Sequence, residues 1–177
     1  MRAVGKMEKV SFEQFYGDWQ DTFGACSEES CREIYDAIKL PARATAGSAG
    51  YDFYAPVDVT LHPGETLKIP TGIRVRMQED WVLMCFPRSG LGFKYRLQLN
   101  NTVGIIDSDY YGATNEGHIF ARITNDSNEE KVCEIAAGTG FMQGIFVPYG
   151  ITEDDAATEV RTGGFGSTTK TTGGAKA

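Results

Sequence analysis

The sequence predicts an all-β chain, a sandwich or jelly roll, with a helical segment placed ahead of it. Ile73, Val75 and Met77 alternate with Arg74 and Arg76, and Ile119, Ala121 and Ile123 alternate with His118, Phe120 and Arg122, the two-residue period of half-buried strands. Turn-forming clusters divide the same region at His62-Pro63-Gly64, Pro70-Thr71-Gly72, Gln78-Glu79-Asp80 and Asn125-Asp126-Ser127-Asn128, with no helical period between them. A helical stripe occurs only near the start. The chain therefore divides into a helical extension over 1–38, a β region over 39–152 and a glycine-rich arm over 153–177.

In the extension, Ser11 followed three residues later by Gln14 suits a capping box. Phe12, Phe15, Tyr16, Trp19 and Phe23 then fall on one helical face, opposite a mostly acidic side formed by Glu13, Asp18 and Asp21. Gly24-Ala25 breaks this helix, and the cluster Ser27 to Ser30 permits a second, shorter one through Glu33, Ile34 and Ile38. The aromatic stripe suits docking on the protein's own sheet or a neighbouring subunit; the acidic face disfavours an anionic membrane surface. At the other end the apolar pattern stops after Pro148, passes through Glu153-Asp154-Asp155 and finishes in Thr-Thr-Gly-Gly-Ala-Lys-Ala, so the last 15 to 20 residues are expected to be mobile without a ligand.

With 177 residues there is enough chain for one sizeable core. A net charge of -7 argues against a nucleic-acid partner, which requires a basic surface. The longest apolar run, about Trp81 to Phe86, falls far short of the roughly 20 residues of a membrane span. The N-terminus lacks the apolar core of a signal peptide, so the expected compartment is the cytoplasm. Four scattered cysteines and two histidines show no zinc spacing and read as reduced thiols and isolated imidazoles.

Four stretches carry candidate chemistry. Asn101-Thr-Val-Gly-Ile-Ile-Asp-Ser-Asp-Tyr110 reads as a hairpin with a pocket: Gly104 allows close backbone approach to a flat base, and Asp107 at its exit can take a proton from water. The same residues also suit an ordinary strand end. Pro87-Arg88-Ser89-Gly90-Leu91-Gly92-Phe93-Lys94 offers a guanidinium fork, a hydroxyl and two glycines, as a phosphate cradle or a structural turn. Asp52, in Ala49-Gly50-Tyr51-Asp52-Phe53-Tyr54, is either a hydrogen-bonded structural carboxylate or one facing a hydrated metal. Arg161-Thr162-Gly163-Gly164-Phe165-Gly166-Ser167-Thr168 resembles a lid that orders over an anionic ligand.

These stretches, with Gly-Thr-Gly-Phe-Met-Gln-Gly-Ile-Phe-Val-Pro before residue 149, resemble in order the five motifs of the trimeric deoxyuridine triphosphate nucleotidohydrolases, the dUTPases, from Ala46 to Lys170. The resemblance implies a distorted jelly-roll β-barrel, a homotrimer with active sites shared between subunits, and hydrolysis of dUTP to dUMP and pyrophosphate. It also implies roles. Asp107 would be the base activating a water for attack on the α-phosphorus, with Gln143 near that phosphate. Asn101, Gly104 and the backbone through Ile105 and Ile106 would read uracil, and Tyr110 would pack on the deoxyribose. Arg88, Ser89 and Gly90 would hold the phosphates, and Mg²⁺, carried mainly by the triphosphate, would meet Asp52 through water. Arg161 would reach the terminal phosphates, and Phe165, Gly166, Ser167 and Thr168 would close the arm over the base.

Three departures stand out. Tyr111 to Glu116 contains roughly five residues more than the family pattern, beside the expected sugar pocket, and nothing in the family core corresponds to residues 1 to 35. Arg161 also stands one residue closer to Gly-Gly-Phe-Gly than is usual. Two alternatives remain open. A dCTP deaminase of the same fold would need a glutamate where Arg122 stands, and a nucleotide-gated regulatory module would use the arm or the aromatic helix to bind another protein.

Overall fold

The computed structural model describes residues 2–159 together with Arg161 and Gly163. Its elements run β1 (Gly5–Lys9), α1 (Phe12–Phe23), α2 (Glu28–Ala37), β2 (Ala42–Arg43), β3 (Tyr51–Tyr54), β4 (Val59–Leu61), β5 (Thr66–Pro70) and β6 (Ile73–Met77). They continue with β7 (Trp81–Pro87), α3 (Ser89–Tyr95), β8 (Leu97–Leu99), β9 (Gly104–Ile106), a 3-10 turn (Ser108–Gly112), β10 (Phe120–Asn125), β11 (Cys133–Ile135) and β12 (Gly140–Pro148). The fold is mostly β with three helices.

A five-stranded sheet has the order β2-β3-β12-β7-β9, and a three-stranded sheet has the order β5-β10-β8. Two ribbons, β11-β4 and β1-β6, complete the strands, and all these pairings are antiparallel. The core lies between the sheets, where Phe53, Ile69, Leu83, Ile123, Phe141 and Met142 are fully buried. The alternation read from the sequence is realised: Ile73 and Val75 point inward from β6, and Ala121 and Ile123 from β10. Strand β12 organises the site, because its register sets Gln143 opposite Asp52 on one side and opposite Phe86 on the other.

The extension docks on the protein's own sheet. Phe12, Phe15 and Trp19 of α1 bury with Val10 and Cys31 in a second apolar cluster, while Phe23, at the helix end, stays 39% exposed. Ser11 caps α1 as expected, its Oγ accepting from Gln14 N at 3.1 Å. The other half of the box differs from expectation. Gln14 turns its amide to Asp18, and the Ser11 N–H goes instead to Glu116 Oε2 at 2.8 Å, from the inserted segment.

Two further elements correct the sequence reading. Gly5–Lys9 is a strand paired with β6, although the reading gave the N-terminal segment helices alone. Ser89–Tyr95 is a short helix rather than a turn, closed by Arg96 in the left-handed region at φ 49°. No helix among the described residues is long and apolar enough to cross a membrane, and the four cysteines are free. Phe165, Gly166, Ser167, Thr168 and most of the arm expected to be mobile lie outside the described residues.

Candidate active site

Strand β9 pairs with β7 so that Gly104 faces Cys85 and Ile106 faces Leu83. Alternation turns Gly104 and Ile106 inward and leaves the Ile105 side chain 47% exposed. Asn101, Gly104 and Ile106 share a cavity of 690 Å³ with Cys85, Leu99 and Met142. A methyl group on Gly104 would stand 3.1 Å from Cys85 Cβ, so a side chain there would press into the floor of the cavity. Burial pushes the Cys85 thiol up to about 12, which leaves that floor neutral and unreactive. An apolar floor bordered by Asn100, Asn101 and Asn115, with Asp18, Lys68 and Arg122 also lining the cavity, suits a flat, polar-edged ring.

The two carboxylates beyond β9 open into a different depression. Asp107 and Asp109 are half-exposed and share a 550 Å³ depression with Met77, Glu79 and Tyr149. Arg161 bridges them: Nη2 donates to Asp107 Oδ2 at 2.6 Å and Nε donates to Asp109 Oδ1 at 2.9 Å. Its guanidinium also lies 5.7 Å from the Tyr110 ring centroid. Burial raises the Asp107 carboxyl above the ordinary range, the Arg161 charge opposes that rise, and the Asp109 charge adds to it. A carboxylate raised in this way is a better proton acceptor than a free aspartate.

A second cluster lies across the five-stranded sheet. Arg88 Nη1 stands 3.1 Å from Asp52 Oδ2, whose side chain is only 13% exposed. Gln143 Nε2 donates to Pro87 O at 3.3 Å, so Asp52, Arg88 and Gln143 adjoin. Ser89 and Gly90 open α3 beside them and are exposed. Neither Arg88, which follows β7, nor Gln143 of β12 lines the hairpin cavity. Within one chain Arg88 therefore lies outside the hairpin cavity. Among the described residues no group of three or more His, Cys, Asp or Glu is gathered around a common point.

The sequence reading missed a third group, on the far side of Tyr110. The Tyr110 ring is 3% exposed; its hydroxyl donates to His118 O at 2.7 Å and accepts from Asn115 Nδ2 at 2.8 Å. The His118 imidazole is wholly buried and accepts the Gly72 N–H on Nε2 at 2.8 Å, so Nδ1 carries the proton and donates it to Asp18 Oδ2. Burial pushes the Asp18 carboxyl up, but hydrogen bonds from His118 and Gln14, with the Lys68 charge, outweigh it and hold the carboxyl low. Glu116 is also held low: burial raises it, and the two Ser11 hydrogen bonds and the Arg74 charge more than offset the rise. Gly117 has φ +70°, and a Cβ there would meet Tyr110 O at 2.7 Å, so the inserted segment can fold back on Tyr110 only through a glycine. The signal that could have found this group was a histidine opening the apolar run from Ile119 and an aspartate directly beside buried Trp19.

Comparison with known proteins places these features in a family. A family model described as dUTPase matches residues 36–169. The deoxyuridine 5'-triphosphate nucleotidohydrolase of Lactococcus lactis subsp. lactis (strain IL1403) is 45% identical over 134 residues, spanning 74% of this chain and 88% of that protein. The protein of the same name from Azoarcus sp. (strain BH72) is 40% identical over 138 residues, spanning 73% of this chain and 88% of its own. Among solved structures, a dUTPase from Streptococcus mutans superposes with a TM-score of 0.57 at 39% identity, over 64% of this chain and 88% of that one. A dUTPase from phage phi11 of S. aureus superposes with a TM-score of 0.60 over 89% of this chain and 97% of that one; at 20% identity the likeness is one of fold.

Proposed function

Because the chain belongs to the dUTPase family, and is thereby a dUTP nucleotidohydrolase, we propose that its hairpin cavity reads uracil and that Asp107 activates the water that attacks the α-phosphorus. The observation that carries this reading is the position of Asp107: it directly follows Ile106 of the cavity lining in the chain, and its carboxyl, raised and half-exposed, opens into a depression of its own with Asp109. In that pose the base is held edge-on to Asn101 and the β9 backbone, and Tyr110 lies beside the deoxyribose. Asp107 orients the water, takes its proton as the bond to phosphorus forms, and the α–β bridging oxygen leaves with pyrophosphate.

Arg88, Ser89 and Gly90 would hold the phosphates, with Gln143 at the α-phosphate. Their separation from the hairpin within one chain supports a homotrimer of jelly-roll barrels in which one subunit reads the base and another grips the phosphates. The 93% exposed Phe93 on α3, beside the phosphate residues, supports a subunit contact at the same place. Arg161 would move from Asp107 and Asp109 to the terminal phosphates as the arm, with Phe165, Gly166, Ser167 and Thr168, closes. The residues also fit Mg²⁺, which binds through substrate phosphates and one or two carboxylates rather than a protein cage. Asp52, beside Arg88, would meet the ion through water, and the ion would neutralise phosphate charge in an acidic protein. The reaction is assigned to the cytoplasm.

The test is release of pyrophosphate and ammonia from dUTP, dCTP, UTP and dTTP, with Mg²⁺ and with a chelator. Pyrophosphate from dUTP alone, lost on chelation, is expected. Ammonia from dCTP would transfer the chain to the deaminase branch.

A further inference from the structure

We propose that Asp18 is a positioning residue for Tyr110, so that α1 and the inserted segment together form the sugar-side wall of the nucleotide pocket and set its preference for deoxyribose. The proposal rests on the reading of Tyr110 as the surface against the sugar. It deepens that reading by assigning work to two stretches, residues 11–23 and 111–118, that the reaction itself does not require.

The two stretches hold each other at two points. Ser11 donates its N–H and its Oγ–H to the Glu116 carboxylate, at 2.8 and 2.6 Å. Asp18 accepts from His118 Nδ1. Seven residues make two helical turns, so Ser11 and Asp18 lie on one face about 10 Å apart. Phe15 fills the space between, its ring 6.2 Å from the His118 ring. The inserted segment thus lies along α1 rather than looping into solvent.

Tyr110 is held at its hydroxyl end by that segment, on Asn115 and on the His118 carbonyl. The Asn115 amide has one satisfactory orientation, since its Oδ1 accepts from Gly117 N and its Nδ2 is thereby turned to Tyr110. His118 in turn is fixed by Gly72 on one ring nitrogen and Asp18 on the other. Without Asp18 the Nδ1–H would be an orphan donor in a wholly buried ring, which costs enough to drive the ring and its backbone elsewhere. Asp18 and Asn115 both line the same cavity as Asn101, Gly104 and Ile106. A small displacement of His118 therefore moves Tyr110 away from the sugar, which opens room for a 2'-hydroxyl.

The experiment compares kcat/KM for dUTP and for UTP in the full chain and in Asp18→Ala, Asp18→Asn and Asn115→Ala. Loss of one hydrogen bond holding a selective side chain should lower the dUTP-to-UTP ratio about tenfold in Asp18→Ala and Asn115→Ala. Asp18→Asn keeps an acceptor oxygen for His118 and should hold the ratio within about twofold. An unchanged ratio in folded Asp18→Ala, or an equal loss on both substrates, overturns the proposal. If Asp18→Ala does not fold, Asn115→Ala, which leaves α1 untouched, decides by the same criterion. Failure of the unsubstituted chain to hydrolyse dUTP would defeat the parent reading instead, so the two failures are distinct.

Discussion

The two sides of Tyr110 are built differently. Toward α1, the polar groups that fix it are buried or partly buried and paired within the chain: Asp18 with the wholly buried His118, His118 with Gly72, and Glu116 with Ser11. Toward the hairpin exit, Asp107 and Asp109 are half-exposed and balanced by a single arginine from the arm. The first side is a finished wall. The second holds charges that a polyanionic substrate can rearrange. Buried pairs fix geometry because breaking them strands a polar group in the core, whereas exposed pairs exchange partners at little cost.

The contrast can be broken most severely at the open side. Asp107→Asn should lower turnover by roughly 10²–10⁴-fold, the usual contribution of a positioned general base, while a thermal melt shows little change because the residue is half-exposed. On the closed side the largest effect is on stability. Phe15→Ala removes a fully buried ring between α1 and the sheets and should cost about 3–5 kcal/mol in denaturant unfolding.

A smaller effect separates the two sides by pH. Arg161 opposes the rise of the Asp107 carboxyl, so Arg161→Ala should move the acid limb of kcat/KM to higher pH, since a base with a raised pKa protonates sooner on acidification. A limb that moves down would show that Arg161 does not face Asp107. The smallest effect lies below pH 4. Asp18 and Glu116 are held low in the folded chain, so their stabilisation is full above the ordinary carboxylate range of about 4 and is lost as pH falls through their folded values. Fluorescence of Trp19, buried in α1, should report loosening of the extension in that acid window.

Much of this arrangement was legible in the residues, and the rest was hidden for physical reasons. Strands β6 and β10 announced themselves because one face is buried, and α1 because its aromatics repeat at helical spacing. The hairpin residues could be named because their order along the chain matches their adjacency in the cavity. Strand β1 was invisible: Gly-Lys-Met-Glu-Lys carries one apolar residue, and its conformation is set by pairing Met7 with Val75, far along the chain. Helix α3 was hidden by Gly90 and Gly92, which are poor helix formers and normally mark turns. Asp18 looked like part of an acidic solvent face because periodicity cannot show a partner a hundred residues away. Its pairing with His118 is a tertiary fact. For the same reason the extension and the insertion read as two unrelated additions.

The most direct test that they are one unit is native-state amide hydrogen exchange on the full chain, comparing α1 with residues 110–119, alone and with dUMP bound. If they form one wall, both segments open with the same free energy and dUMP raises protection in both. Exchange of α1 at the rate of a frayed terminus, with residues 110–119 protected independently of it, would contradict the shared wall and leave the extension an appendage.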